Sequence, residues 1–253
     1  MSFAIYSENL VDQSTLSAST VNLLFPVNNI KDSRRSKVFR SNGNSDNVVF
    51  DFNETSEVNS FFIVGDKRSG FGVSTITLQF NGTDSWGAPA ASESITFSTE
   101  HGVGFKEFLT THSYRFCRMV LTSTLGYCEI SNVFLGKKLT MSRSINFGWS
   151  YKDNELSREA TNRYGQKFFD IISRQTQITC GFSNLDKNDL DEFFKLYDDK
   201  GDTKPFFIVL GCDGQNTNDH RRYSKMYFLE SVPAVSNPLF NKYNVSMSLI
   251  EAT

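Results

Sequence analysis

Val48-Val49-Phe50-Asp51-Phe52, Phe61-Phe62-Ile63-Val64-Gly65 and Ile76-Thr77-Leu78-Gln79-Phe80, the last closed by Asn81-Gly82, decide the class of the first half of the chain. Each run is short, rich in Val, Ile and Phe, and bounded by residues that favour turns. That texture belongs to strands and not to helices, which need ten or more residues at a 3.6 period. Phe116-Cys117-Arg118-Met119-Val120-Leu121 and Ile130-Ser131-Asn132-Val133-Phe134-Leu135-Gly136 repeat the pattern further on. No long amphipathic helix interrupts it through residue 138, so a parallel sheet with helical crossovers is excluded. A sandwich or barrel of antiparallel strands is expected.

After Lys137-Lys138 the texture changes. Ser142 to Trp149 reads either as a strand or as an arm crossing between modules. Gln175 to Phe182 reads as a strand, and a helix follows it. Ser183 or Asp186 can cap that helix, and Asp189 and Asp191 fall in its first turns, where the macrodipole favours negative charge. Leu190, Phe193, Phe194 and Tyr197 share one face, while Asp189 is placed on the capping or opposite side. Gly201 supplies the stop. Pro205 to Leu210, Lys225 to Leu229 and the alternating Tyr243 to Ile250 complete a small sheet, with a polar loop at 211–220. The expected architecture is mainly β: a jelly-roll β-sandwich over 1–138, and a smaller α+β module with one helix over 139–253.

The composition limits partners and chemistry. Basic residues number 26 and acidic residues 28, interspersed, for a net charge of −2. Neither nucleic acid nor an anionic membrane is implied, and Arg34-Arg35 and Arg221-Arg222 are too short to form a footprint. No apolar run is long enough for a membrane span, and the opening residues lack the build of a secretory signal. The triplets at Asn53, Asn81 and Asn244 are therefore expected to stay unglycosylated, and the chain to fold in a reducing cytoplasm. Cys117, Cys128, Cys180 and Cys212 have no metal-ligand spacing and read as buried free thiols, with a Cys117–Cys128 disulfide as the alternative. The 24 Phe against 2 Trp put a large apolar payload in the core and leave some rings for surfaces another subunit covers.

No catalytic, cofactor or metal residue is nominated. His101, His112 and His220 share no ligand spacing, and Asp219, His220 and Ser224 are too close in sequence for a triad. No nucleophile elbow, phosphate loop or zinc-protease motif occurs. The carboxylates of 186–202 lack the calcium-loop pattern, and Asp46, Asp66 and Asp84 are far apart. The interface candidates are Arg34, Arg35 and Arg40 before the first strand, and Phe147 and Trp149 in the arm-like stretch. Trp86, in Asn81 to Gly87, is the candidate for stacking on a sugar.

The segment from Asp32 to Ser41, then Val-Val-Phe-Asp-Phe at 48–52 and Phe-Phe-Ile-Val-Gly at 61–65, resembles the opening of a discoidin-like, galactose-binding-like jelly roll. It is closest in texture to versions in structural proteins of tailed-bacteriophage tails. Ile130 to Gly136 is similar to the strand that closes such modules, and the turn at Asn162–Gln166, the capped helix and Pro205 to Leu210 resemble the C-terminal half of those proteins. The resemblance implies a virion structural protein: a distal-tail-like baseplate subunit that forms a trimeric or hexameric ring and links the tail tube to the adhesion apparatus. Its partners would be copies of itself and other tail proteins, and its place the virion tail after synthesis in the host cytoplasm. The alternative is a carbohydrate-binding adhesin that grips host glycan. A glycan hydrolase would need a carboxylate pair that the sequence does not offer.

Overall fold

The computed structural model describes residues 3–20, 22–65, 72–98, 102–139, 141–210 and 223–252. Asp66, His101, Cys212, the 211–220 loop and Arg221-Arg222 lie outside these residues. The chain is mainly β with one long helix. Its contacts divide it into two units, Met1–Thr140 with Phe206–Lys225, and Met141–Pro205 with Met226–Thr253.

The first unit is a β-sandwich. In chain order it holds β1 (Phe3–Asn9), the single turn α1 (Leu10–Gln13), β2 (Thr15–Ala18), β3 (Phe39–Arg40) and β4 (Ser45–Val64). There follow β5 (Thr75–Asn81), β6 (Ala91–Ile95), β7 (Phe97–Ser98), β8 (Val103–Thr122), β9 (Glu129–Ile130) and β10 (Val133–Leu139). Two long strands make both layers. β4 and β8 run to 20 residues each and pair along their length, with register breaks between Asp51 and Ser56 and between Val58 and Ser60. Asn53 takes a left-handed φ of 67° at the first break, a conformation Asn tolerates better than most residues, and its N–H donates to Asp51 Oδ1 at 2.9 Å.

Beyond the bend the strands exchange neighbours. The first half of β4 lies between β2 and β8, with β5 and β6 beyond; its second half lies between β10 and β8, with β1 beyond β10. Val48, Phe50 and Phe52 from one half, and Phe61 and Ile63 from the other, line one core with Ile76, Leu78, Phe80, Cys117, Met119 and Leu121. The alternation that marked these runs as strands is thus the alternation of core and outer face. The opposite side of the second layer is also apolar. Phe62 packs on Tyr6, Phe105 and Phe207, with ring centroids 6.2, 6.1 and 4.9 Å away.

Phe207 belongs to β13 (Phe206–Leu210), which pairs antiparallel with β1. The sequence reading gives this strand to the second module, and its contacts group it with the first unit. Its all-apolar run marks a strand buried on both faces but carries no information on which neighbour it takes. Cys117, Cys128 and Cys180 are buried free thiols, as the sequence reading expects. Burial pushes Cys180 up to about 12 and raises Cys117 further.

The second unit holds β11 (Ser150–Thr161), β12 (Lys167–Leu185), α2 (Lys187–Lys200), β14 (Lys225–Leu229), β15 (Ala234–Leu239) and β16 (Lys242–Glu251). β16 is flanked by β12, and pairs with β14 and β15 along different stretches. Ser142 to Trp149 is not a strand; it is irregular, with Asn146 N–H donating to Gly181 C=O at 2.7 Å.

α2 is capped by Asp186, whose side chain accepts from Asp189 N–H, and ends at Gly201 with φ 53°. Its buried positions are Asp189, Leu190, Phe193, Leu196 and Lys200. Two expectations change here. Phe194, placed on the inner face, is 47% exposed, and Leu196 takes the buried place. Asp189, placed on the capping or solvated side, is buried and accepts from Ser142 N–H at 2.9 Å and from its hydroxyl. A helix is a continuous cylinder, so a buried arc centred on Phe193 and Leu196 takes in Asp189 and leaves out Phe194. Asp189→Ala is accordingly expected to cost about 1–3 kcal/mol by removing the charge-assisted hydrogen bonds that tie exposed Ser142 to the helix, read as a shift in denaturant midpoint. A cost indistinguishable from zero would mean that this contact does not form.

Candidate functional site

The outer face of the first layer is mostly polar and uncharged, with Asp51, Arg115 and Arg118 as its charged groups. Ser17 lies opposite Val49, Val49 opposite Arg118, Arg118 opposite Gln79, and Gln79 opposite Ser92, forming a row across five strands. Rows on either side bring Asp51, Phe116 and Asn81, and Asn47, Val120, Thr77 and Ser94. The residues between them in sequence point to the core, so strand alternation fixes which side chains are presented.

Arg118 is the centre of this face. Its Nε donates to Gln79 Oε1 at 2.8 Å, and Nη2 donates to the same oxygen. Its guanidinium lies 4.7 Å from the ring centroid of Trp86. The loop after β5 is shaped to bring Trp86 back over the sheet. Asn81 Nδ2 donates to Ser85 C=O at 2.6 Å, Gly82 N–H to Asn81 Oδ1 at 2.8 Å, and Trp86 Nε1 to Asp84 Oδ1 at 2.6 Å. Trp86 therefore stands half-buried on the sheet face and does not project from a loop tip. Burial lowers the pKa of Arg118, and the nearby charge of Asp84 opposes that shift. At the end of the same face Arg115 forks onto Asp51 at 2.8 and 2.9 Å and covers Phe116 at 4.9 Å, and this pairing holds the Asp51 carboxyl below its usual range.

The three arginines before the first strand go to three different places. Arg34 is exposed and forks onto Asp32 at 2.9 and 2.6 Å, which lowers the Asp32 pKa to about 2. Arg35 is buried, with Nη2 donating to Gly65 C=O at 3.1 Å. Arg40 lies between Phe25 at 4.4 Å and Tyr127 at 4.7 Å, and its Nε donates to the buried Glu129 at 2.6 Å. It ties β3 to β9. Leu23 and Leu24, just before Phe25 in sequence, and Leu125, two residues before Tyr127, are exposed.

In the second unit the strands β11 and β12 form a long hairpin. β11 pairs with Lys167 to Thr179 of β12, whereas β16 pairs with β12 only from Gln177 onward. The far part of the hairpin, 155–161 with 167–174, thus has no third strand among the described residues. The turn is closed by Asn162, whose Oδ1 accepts from Tyr164 N–H at 2.9 Å and Gln166 N–H at 3.0 Å. Tyr164, Phe168 and Phe169 are 74%, 57% and 62% exposed. Phe168 and Phe169 are successive residues, so both faces of this ribbon carry an aromatic ring. Phe147 is fully exposed and Trp149 half-buried.

No family model matches the chain, and neither does any curated protein. Solved structures do. The family 32 carbohydrate-binding module of NanJ from Clostridium perfringens, in complex with galactose, is 10% identical at a TM-score of 0.44, covering 53% of this chain and 98% of that one. The lectin domain of Lectinolysin, complexed with Lewis B antigen, is 13% identical at a TM-score of 0.44, covering 52% and 98%. A chitosan-binding module from a Paenibacillus chitosanase/glucanase is 15% identical at a TM-score of 0.41, covering 51% and 99%. These are distant likenesses over half the chain. What those modules bind does not transfer to this one at such scores.

Among the described residues no three His, Cys, Asp or Glu side chains converge as a metal site would require. Of the sequence candidates, Trp86 lies on a built face, and its companions Arg118, Gln79 and Asp84 were not nominated. Arg118 was legible as outward-facing from its place between Cys117 and Met119; its cross-strand partner was not.

Proposed function

We propose that this chain is a binding and assembly protein whose second unit inserts the β11–β12 hairpin into a neighbouring copy. One observation carries the reading: a two-stranded ribbon with Tyr164, Phe168 and Phe169 in solvent. A lone hairpin is at best marginally stable in water, and large apolar groups on both of its faces make exposure costlier. Both penalties are removed when another protein covers it. The resemblance to tail proteins supplies the setting, a ring-forming distal-tail subunit of a tailed phage. Hydrogen exchange tests the arm itself. Amides of 155–174 are expected to exchange much faster than those of 177–185 in dilute protein, and to become protected as concentration rises. Equal protection of both segments at every concentration would remove the reason for a partner.

A second reading, glycan recognition by the first unit, is favoured by the face around Trp86. An aromatic ring held in place by Asp84 and Arg118, on a face that also carries the Gln79 amide and serine and threonine hydroxyls, suits the apolar face and hydroxyl rim of a sugar. The two readings are compatible, since each uses a different unit. On immobilised polysaccharides, Trp86→Ala is expected to lose about ten-fold in affinity. Binding by the wild type that Trp86→Ala leaves unchanged would move the site elsewhere.

A further inference from the structure

We propose that the outer face of the first unit takes a saccharide bearing a carboxylate, with Arg118 as the cation that meets the acid group and Trp86 as the apolar platform beside it. The inference rests on the glycan reading and adds the class of sugar.

Asp51 is paired with Arg115, and the remaining neighbours of Arg118 in its own and adjacent rows are Val49, Gln79, Ser17, Ser92, Phe116 and Val120, all neutral. Asp84, whose charge reaches Arg118, spends an oxygen on the Trp86 N–H, and Arg118 forms no ion pair with a carboxylate among the described residues. Two guanidinium N–H groups instead share one neutral amide oxygen, that of Gln79. A guanidinium's fork matches a carboxylate, and a neutral acceptor answers it with a weaker bond. A cation partly withdrawn from water, and held by a ring and an amide, gains from an anion more than a fully solvated one does. The amide of Gln79 and the indole of Trp86 meanwhile fix the direction in which the guanidinium is offered, so little side-chain freedom remains to be lost on binding.

The test uses the full chain with two probes of equal length, an oligogalacturonate and the corresponding neutral galacto-oligosaccharide, measured by calorimetry at low and high salt. The acidic probe is expected to bind at least about ten-fold tighter, with the margin shrinking as salt rises. Arg118→Gln is expected to abolish the margin, so that the acidic and the neutral probe bind that variant equally, and Arg118→Lys to restore part of the margin. Melting temperatures of the variants check that the sheet is intact. Equal affinity for the two probes, or a margin that survives Arg118→Gln in a folded protein, overturns the carboxylate inference and leaves glycan recognition standing. Binding of neither probe, nor of the immobilised polysaccharides, overturns both.

Discussion

Phe193→Ala is expected to cost the second unit about 3–5 kcal/mol, from lost transfer energy and the cavity left behind. The ring is buried in α2 and meets Phe182 of β12 edge-on, with centroids 5.1 Å apart. It is therefore part of what holds the helix to the sheet. Its neighbour supplies the control: Phe194→Ala, at a ring nearly half exposed, is expected to cost about 1 kcal/mol or less. Denaturant titration of the two variants measures the difference. If both cost the same, the buried arc of α2 is not the one centred on Phe193 and Leu196.

Asp46→Ala is expected to be comparably damaging in the first unit, at about 3–5 kcal/mol, although no apolar contact is lost. Asp46 is 1% exposed and gathers the donors of a turn. It accepts from Ser19 N–H at 3.0 Å, Ser19 Oγ, Thr20 N–H at 3.3 Å, Thr20 Oγ1 at 2.5 Å and Asn47 N–H at 2.7 Å. Removing one carboxylate takes away several charge-assisted hydrogen bonds at once, each worth about 1.5–3 kcal/mol, to donors on Ser19, Thr20 and Asn47 that are themselves exposed or half-buried. Some will be rehydrated, which is why the total stays below the sum. Asp46→Asn keeps the shape but turns a donor toward donors, and is expected to recover less than half of the loss. Full recovery by Asn would show that the site needs an acceptor of that shape and not a charge.

The strands of the sandwich could be read from the chain because one face of each is buried, and burial imposes alternation. The same logic explains what stayed hidden. Residues 150–161, Ser-Tyr-Lys-Asp-Asn-Glu-Leu-Ser-Arg-Glu-Ala-Thr, form β11, yet nearly all of them face solvent, so no alternation of polarity marks a strand. The hairpin is held by backbone ladders and by the Asn162 turn, and only that turn left a signal. Asp189 was read as a solvated helix carboxylate because its partner, Ser142, lies 47 residues away. Arg35 and Arg34 are sequence neighbours with opposite fates, one buried and one exposed, which strand alternation outside a regular element does not foretell. Around Trp86 the sequence supplied the ring and the turn residues Asn81 and Gly82. The register of β8 against β5, which sets Arg118 beside Gln79, is a property of the folded sheet.

The solvent-facing hairpin, as proposed, is a contact between copies. Light scattering across a concentration series, on wild type and on the double variant Phe168→Ser, Phe169→Ser, tests this most directly. Wild type is expected to reach a mass that is a whole multiple of the 28.7 kDa chain, and the double variant to stay at 28.7 kDa with its melting temperature unchanged. Wild type that remains at the monomer mass at the highest concentration, or a double variant that assembles as wild type does, would contradict it.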